Sequence, residues 1–141
     1  MNAPEKVLCF VDSNIWLYAF IESPGSNKSP IARTIIADSR ICISSQIINE
    51  VSVNLLKKAS FSEERLKALR HSFFSRYTVA IEFSEELLDL ASELRSSYNF
   101  QYWDGLIVAS ALSLNAEILY SEDMHNGLLV QKKLRIVNPF K

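Results

Sequence analysis

Glycine, histidine and cysteine are scarce in this 141-residue chain, and each shortage excludes a class of chemistry. The three glycines, Gly25, Gly105 and Gly127, cannot form a phosphate-binding loop or a dinucleotide-binding fingerprint. The two histidines, His71 and His125, are isolated, and no Ser/His/Asp or Cys/His arrangement is legible. The sequence therefore argues against nucleotide binding by a glycine-rich loop and against histidine-based nucleophilic catalysis.

The two cysteines, Cys9 and Cys42, both lie inside apolar runs, and the chain has no C-x-x-C pair or zinc-binding spacing. We expect two buried free thiols, with a disulfide between neighbouring strands as the alternative.

Long apolar runs and a surplus of positive charge are also missing. No run approaches the roughly 18 residues of a membrane span, and no basic-plus-apolar signal precedes Pro4. We therefore expect a cytoplasmic protein without membrane contact, folded as one globular domain over residues 1–141. The net charge of −1 does not favour nucleic-acid binding, although cations bound at an acidic site would change the local sign.

Short apolar runs alternate with helix-patterned segments along the chain. Strands are predicted at 7–11, 41–43, 78–83, 118–120 and 134–137. Helices are predicted at 14–20, 29–39, 45–58 and 102–114, with two more beginning near Ser62 and Ser84. This alternation predicts an α/β sandwich around a mostly parallel sheet of about five short strands. Ligands of such folds bind beyond the carboxyl ends of the strands.

Carboxylates are the chemical resource that the sequence shows in quantity. Four of them stand in apolar or helical surroundings that give no structural need for an acid: Asp12, Glu50, Asp104 and Asp123. Carboxylates drawn together repel one another unless a cation joins them, and hard divalent cations prefer oxygen ligands. If the fold brings these four carboxylates together, we expect a metal-dependent enzyme that acts on phosphate esters.

The first two carboxylates also have structural explanations. Asp12 ends an apolar strand and could simply cap the helical turn that follows, and Asn14 could cap it or orient Asp12. Glu50 lies on the flank of the apolar face of its helix, where a solvated glutamate is the usual case. The polar stripe that it forms with Gln46 and Asn54 would also suit the wall of a site.

The other two carboxylates differ in how easily they are explained. Asp104 shares a helix face with Ile107, Val108 and Ala111, so it is the hardest of the four to explain structurally. Its structural alternative is a first-turn aspartate that the helix dipole favours. Asp123 lies in a polar turn, where acids are common.

Five segments, spread over nearly the whole chain, resemble the PIN-domain ribonucleases, and specifically the VapC-type toxins of toxin–antitoxin pairs. They are Val11-Asp12-Ser13-Asn14-Ile15, Ser45-Gln46 through Asn49-Glu50-Val51, Tyr102-Trp103-Asp104-Gly105-Leu106-Ile107-Val108-Ala109-Ser110-Ala111, Leu119-Tyr120-Ser121-Glu122-Asp123-Met124, and Ile136-Val137-Asn138-Pro139-Phe140. The resemblance implies a PIN fold, a three-layer α/β/α sandwich, with a pocket that holds Mg²⁺ or Mn²⁺.

The resemblance also implies residue roles and an activity. It makes the four carboxylates the catalytic residues and metal ligands, with Asn14 and Ser121 in support. The activity would be hydrolysis of RNA by the toxin of a toxin–antitoxin pair, with a homodimer and a small antitoxin protein as further expectations. The chain departs from the family at Gly105, where alanine is common, and Glu122 leaves open which acid, Glu122 or Asp123, faces the metal.

Basic residues that could hold RNA are also expected, although solvated helix faces are the alternative for most of them. The candidates are Lys57, Lys58, Arg65, Lys67, Arg70, Lys132 and Lys133.

Three other functions compete with the nuclease. An aspartate-nucleophile phosphatase would need a second acid where Asn14 stands, and a phospho-receiver would need one at Ser13. A catalytically weak domain that only binds RNA or a partner protein is the third alternative, and the presence of all four carboxylates argues against it.

Overall fold

The computed structural model describes residues 6–81 and 84–141, in which six strands form one sheet. The strands are β1 (Leu8–Val11), β2 (Arg40–Ser44), β3 (Thr78–Ala80), β4 (Ile118–Tyr120), β5 (Leu129–Val130) and β6 (Leu134–Val137). Their order across the sheet is β3-β2-β1-β4-β6-β5. All neighbours are parallel except β5 and β6, which form an antiparallel pair at one edge.

Within the same described ranges, six helices cover this sheet. They are α1 (Ser13–Phe20), α2 (Lys28–Asp38), α3 (Ser45–Lys58), α4 (Glu63–Arg76), α5 (Glu85–Tyr98) and α6 (Tyr102–Ser113). Several begin where a polar side chain caps the first turn: the hydroxyls of Ser44, Ser62 and Ser84 each accept from a backbone N–H three residues later.

The order of the strands explains how the helices are distributed. From β1 the chain moves outward to β2 and then β3, and it returns across the sheet to β4 on the other side of β1. Right-handed crossovers in opposite directions place their helices on opposite faces. In agreement, α1 packs on α2 and α3, and α3 on α4, whereas α5 and α6 pack on each other. The result is an α/β sandwich in which β1 is central and buried.

The predicted fold class is confirmed, with differences at one edge and in one strand. The predicted strand 78–83 ends at Ala80 in the structure, and Glu82 and Phe83 lie outside the described residues. The short strand β5 was not predicted, because two residues carry no readable alternation, so the sheet has six strands rather than five. Cys9 and Cys42 are buried free thiols, as expected. None of the described helices has the length and apolar character that a bilayer crossing requires.

Candidate active site

The site lies at the carboxyl ends of β1 and β4, where the crossovers on the two sides of β1 diverge. Asp12 directly follows β1 and Ser121 directly follows β4, and the Asp12 backbone N–H donates to the Tyr120 carbonyl at 2.9 Å. A parallel sheet opens a crevice at such a switch point, because the loops above the two strands turn away from each other. The first turns of α3 and α6 begin at this same end of the sandwich.

Asp12 is the most buried of the four carboxylates, with 6% of its surface exposed. Its Oδ1 accepts from the Ser13 backbone N–H at 2.8 Å, and its Oδ2 accepts from the Ser121 hydroxyl at 2.7 Å. The pKa of Asp12 is raised to about 6, mainly by burial. The two hydrogen bonds lower this pKa, whereas the negative charges of Glu50 and Asp104 raise it further. The cap that the sequence suggested exists, yet it leaves the carboxylate poorly stabilised as an anion.

Asp104 lies in the first turn of α6 and is half-buried. Burial raises its pKa first, and the negative charges of Asp123 and Glu50 raise it further. Asp104 thus interacts electrostatically with Asp123 and Glu50, and Asp12 interacts with Glu50 and Asp104. The fold therefore couples Asp12, Glu50 and Asp104 to one another and Asp123 to Asp104, although the chemical roles of the four carboxylates stay a prediction.

Glu50 is oriented by its own helix. The Gln46 side-chain Nε2 donates to Glu50 Oε1 at 3.0 Å, one turn before it, and the Asn54 amide donates to the Glu50 backbone carbonyl at 2.8 Å. The polar stripe suggested by the sequence therefore exists, but only Gln46 contacts the carboxylate.

Asp123 is exposed and is tied to the site by Asn14. The Asn14 Nδ2 donates to Asp123 Oδ2 at 2.9 Å, and the Asp123 backbone N–H donates to the Ser121 hydroxyl at 3.4 Å. Ser121 thus connects Asp123 with Asp12, and Asn14 holds the Asp123 carboxylate; both were predicted as supporting residues. The Asn14 Oδ1 is buried and has no hydrogen-bond partner within the described parts of the chain.

Glu122 points away from this cluster and belongs to a second group of side chains. This group consists of Tyr18, Lys28, Glu122 and Phe140, and we call it the clamp. Lys28 forms an ion pair with Glu122, and the Tyr18 hydroxyl donates to Glu122 at 2.7 Å. The Lys28 ammonium lies 5.0 Å from the Tyr18 ring centre and 5.4 Å from that of Phe140. Partial burial would raise the pKa of Glu122, but the hydrogen bonds from Lys28 and Tyr18 prevail and lower it.

The clamp leaves Asp123 as the acid of this turn that faces the other carboxylates. Sequence reasoning missed the clamp because Lys28 and Glu122 are 94 residues apart and neither stands in a recognisable pattern.

The donor set fits a hydrated divalent cation better than a fully enclosed one. Within residues 6–81 and 84–141, no three Asp, Glu, His or Cys side chains converge closely enough to enclose a metal ion. Mg²⁺ usually keeps several waters and binds through one or two carboxylates, so a tight cluster is not required. The unpartnered Asn14 Oδ1 and the destabilised Asp12 carboxylate are both oxygen donors that a cation would satisfy.

The basic residues proposed for RNA lie mostly away from the site. Lys57 and Lys58 end α3, at the opposite end of the helix from Gln46. Lys132 and Lys133 precede β6, which runs parallel to β4, so they lie at the amino edge of the sheet. Arg95 contacts the start of α6, where its guanidinium stacks 4.2 Å from the Tyr102 ring centre.

The chain resembles a known domain family over most of its length. The sequence model of the PIN domain family matches residues 9–125, which include all four carboxylates. The chain belongs to the PIN domain family. No curated protein matched the chain.

Several solved structures share the fold of this PIN domain at low sequence identity. A toxin–antitoxin complex from Klebsiella pneumoniae has 19% identity and a TM-score of 0.69, over 94% of this chain and 98% of the other. The toxin VapC20 of Mycobacterium tuberculosis has 16% identity and a TM-score of 0.61, over 82% and 89%. VapBC2 of Rickettsia felis has 20% identity and a TM-score of 0.61, over 94% and 100%. These similarities confirm the fold expected from the sequence.

Proposed function

We propose that this PIN domain is a metal-dependent endoribonuclease and the toxin of a toxin–antitoxin pair. The observation that carries the proposal is the electrostatic coupling of the carboxylates at the switch point of the sheet, where Asp12 is buried and destabilised as an anion and Asp123 and Glu50 raise the pKa of Asp104. Neighbouring carboxylates destabilise the folded protein unless a cation neutralises their negative charge, so their presence is explained if the site binds a cation. The structurally similar VapC20 of M. tuberculosis is a toxin that cleaves the sarcin-ricin loop, which supports an RNA substrate.

Each site residue has a distinct role in this proposal. Asp12 and Asp104 would hold Mg²⁺ or Mn²⁺ directly, and Glu50 and Asp123 would complete the site, in part through water. The bound cation would supply a lower pKa for a water molecule and positive charge next to the phosphate. Ser121 keeps Asp12 in place through its 2.7 Å hydrogen bond, and Asn14 fixes Asp123.

The partners of the protein are part of the proposal. Two of the similar structures are a toxin–antitoxin complex and VapBC2 bound to a DNA fragment from its promoter. We accordingly propose a small antitoxin protein as the partner of this chain, and a homodimer as its assembly. Exposed apolar side chains on α3, Val53 and Leu56, provide surface for such contacts.

Cleavage of a mixed RNA pool in the presence of Mn²⁺ tests the activity. We expect cleavage by the wild-type protein, loss after chelation by EDTA, and loss in Asp12→Asn and Asp104→Asn. The control is Asp89→Asn, an exposed aspartate on α5 that should leave cleavage unchanged. Full activity in either site variant would refute the assignment. RNA binding by the wild-type protein without cleavage would identify a binding module instead.

A further inference from the structure

A groove of about 380 Å³ adjoins the acidic site. Its lining residues come from α3, α5 and α6: Ser45, Gln46, Asn49, Glu50, Leu88, Trp103 and Leu106. Its volume falls near the lower end of the roughly 300–1,000 Å³ typical of small-molecule sites. Because Glu50 belongs both to the groove and to the four carboxylates, a ligand in the groove would touch the reaction site.

The groove includes an exposed aromatic side chain. Trp103 is 61% exposed, although a tryptophan is usually buried, and Tyr102 packs against it edge to face with ring centres 5.2 Å apart. Leu88 and Leu106 add aliphatic surface to the same lining. An exposed indole beside aliphatic side chains suits a planar ring, which can stack on it.

The charge of the groove favours the base of a nucleotide over its phosphate. Its lining includes the Glu50 carboxylate and neither lysine nor arginine, so it disfavours a phosphate. An uncharged base is compatible with it. Gln46 adds a polar requirement, because its Oε1 is buried and accepts no hydrogen bond from any described residue while its Nε2 donates to Glu50. The edge of a nucleobase carries N–H groups that could donate to such an acceptor.

We propose that this groove holds one unpaired nucleobase of the RNA substrate, next to the phosphate that is cleaved. Trp103 provides the stacking surface, and Gln46 accepts a hydrogen bond from the base edge. The inference rests on the proposed nuclease function and adds to it a single-stranded substrate, because only an unpaired base can leave its stack to enter the groove.

The two tryptophans of the chain allow a direct binding test. Trp16 is 2% exposed and Trp103 is 61% exposed, so Trp16→Phe leaves Trp103 as the only indole reporter. In a background of Asp12→Asn and Trp16→Phe, we expect a single-stranded RNA hexamer to quench the Trp103 fluorescence. A hexamer series in which one residue at a time is abasic should contain one member that quenches and binds least.

Cleavage kinetics supply the second readout. In the otherwise wild-type protein, Trp103→Ala should raise KM for single-stranded RNA by roughly 10- to 100-fold, because stacking contributes about 1–3 kcal/mol per base. The value of kcat should change much less, and Trp103→Phe should restore most of the affinity. Leu129→Ala, at an exposed apolar residue on β5, is the matched control and should leave KM unchanged. Thermal unfolding verifies that each variant folds.

The outcomes separate this inference from the proposed nuclease. If RNA is cleaved but Trp103→Ala changes neither KM nor binding, the groove inference is wrong and the nuclease stands. If the fluorescence responds to bases but no RNA is cleaved, the groove binds a base and the nuclease proposal fails. If Trp103→Ala instead dissociates a dimer without altering RNA binding, or if no RNA binds at all, the groove inference is overturned.

Discussion

Replacing Asp12 by asparagine should stabilise the metal-free protein at neutral pH while it removes activity. The Asp12 carboxylate is 6% exposed, and burial is the main reason that its pKa rises from an ordinary 3.8 to about 6. Asparagine has nearly the same shape and can still accept from the Ser13 N–H, so the cap of α1 survives. The substitution therefore removes chiefly the charge.

The magnitude follows from linkage between ionisation and folding. The folded protein holds the Asp12 proton more tightly than the unfolded chain, so the contribution of Asp12 to stability falls as pH rises from about 4 to about 6. The difference between the two pKa values corresponds to about 3 kcal/mol, and this destabilisation persists at pH 7. We expect Asp12→Asn to raise the free energy of unfolding by about 2–3 kcal/mol at pH 7, and by nearly nothing at pH 4.

Urea unfolding in EDTA at several pH values measures this difference. The midpoint of thermal unfolding should rise by roughly 4–12 °C at pH 7, given about 2–4 °C per kcal/mol for a chain of this size. The exposed Asp89→Asn should change stability by less than about 0.5 kcal/mol at either pH. An Asp12→Asn protein no more stable than the wild type at pH 7, or equally stabilised at pH 4, would refute the reasoning.

Two further predictions concern packing around the site. An alanine Cβ at position 105 would lie 2.6 Å from the Arg95 Cγ, so we expect Gly105→Ala to destabilise by about 1 kcal/mol in urea unfolding. The same change in an Arg95→Ala background should stabilise by about 0.5 kcal/mol, because the gain in helix propensity then exceeds the cost of the remaining 3.3 Å contact with the Ala91 carbonyl oxygen. The same sign in both backgrounds would contradict this explanation. In the clamp, Lys28→Met should weaken Mn²⁺ binding, measured by calorimetry, by roughly 10-fold, because Glu122 is released and Asp123 loses its orientation. Lys28→Arg should preserve it, and an unchanged affinity in Lys28→Met would show that the clamp is only structural.

The sequence was sufficient for the features that depend on neighbouring residues. Apolar periodicity and capping act over a few residues, so they were enough to predict strand β1, the helices that begin after Ser44, Ser62 and Ser84, and the helix that begins at Tyr102. It also showed that carboxylates were the available chemistry, and the PIN family was recognised from short segments in order. Strand β5 was not predicted, because two residues are too few to show a strand pattern. The predicted strand at 78–83 extends beyond the end of β3, because apolar residues continue after Ala80 in the sequence.

Departures from the family pattern could be noticed in the sequence but not explained there. In the sequence, Gly105 is only a departure from the alanine that is common in the family, whereas the structure shows α5 approaching so closely that Arg95 occupies the space of a side chain. The basic residues proposed to bind RNA could likewise be identified in the sequence. Their position relative to the site depends on the edge of the sheet at which they lie, which the sequence does not show.

The sequence by itself determined which groups are available: a set of acids, almost no histidine, and the alternating pattern that makes an α/β sandwich. Only the tertiary structure decided how those groups are used. It turned Glu122 toward Lys28 and Asp123 toward Asn14, although the two acids are adjacent in the chain. It also placed Trp103 beside Glu50. The physical reason is that these contacts join residues far apart in sequence, whose proximity depends on the order of the strands and the crossovers between them.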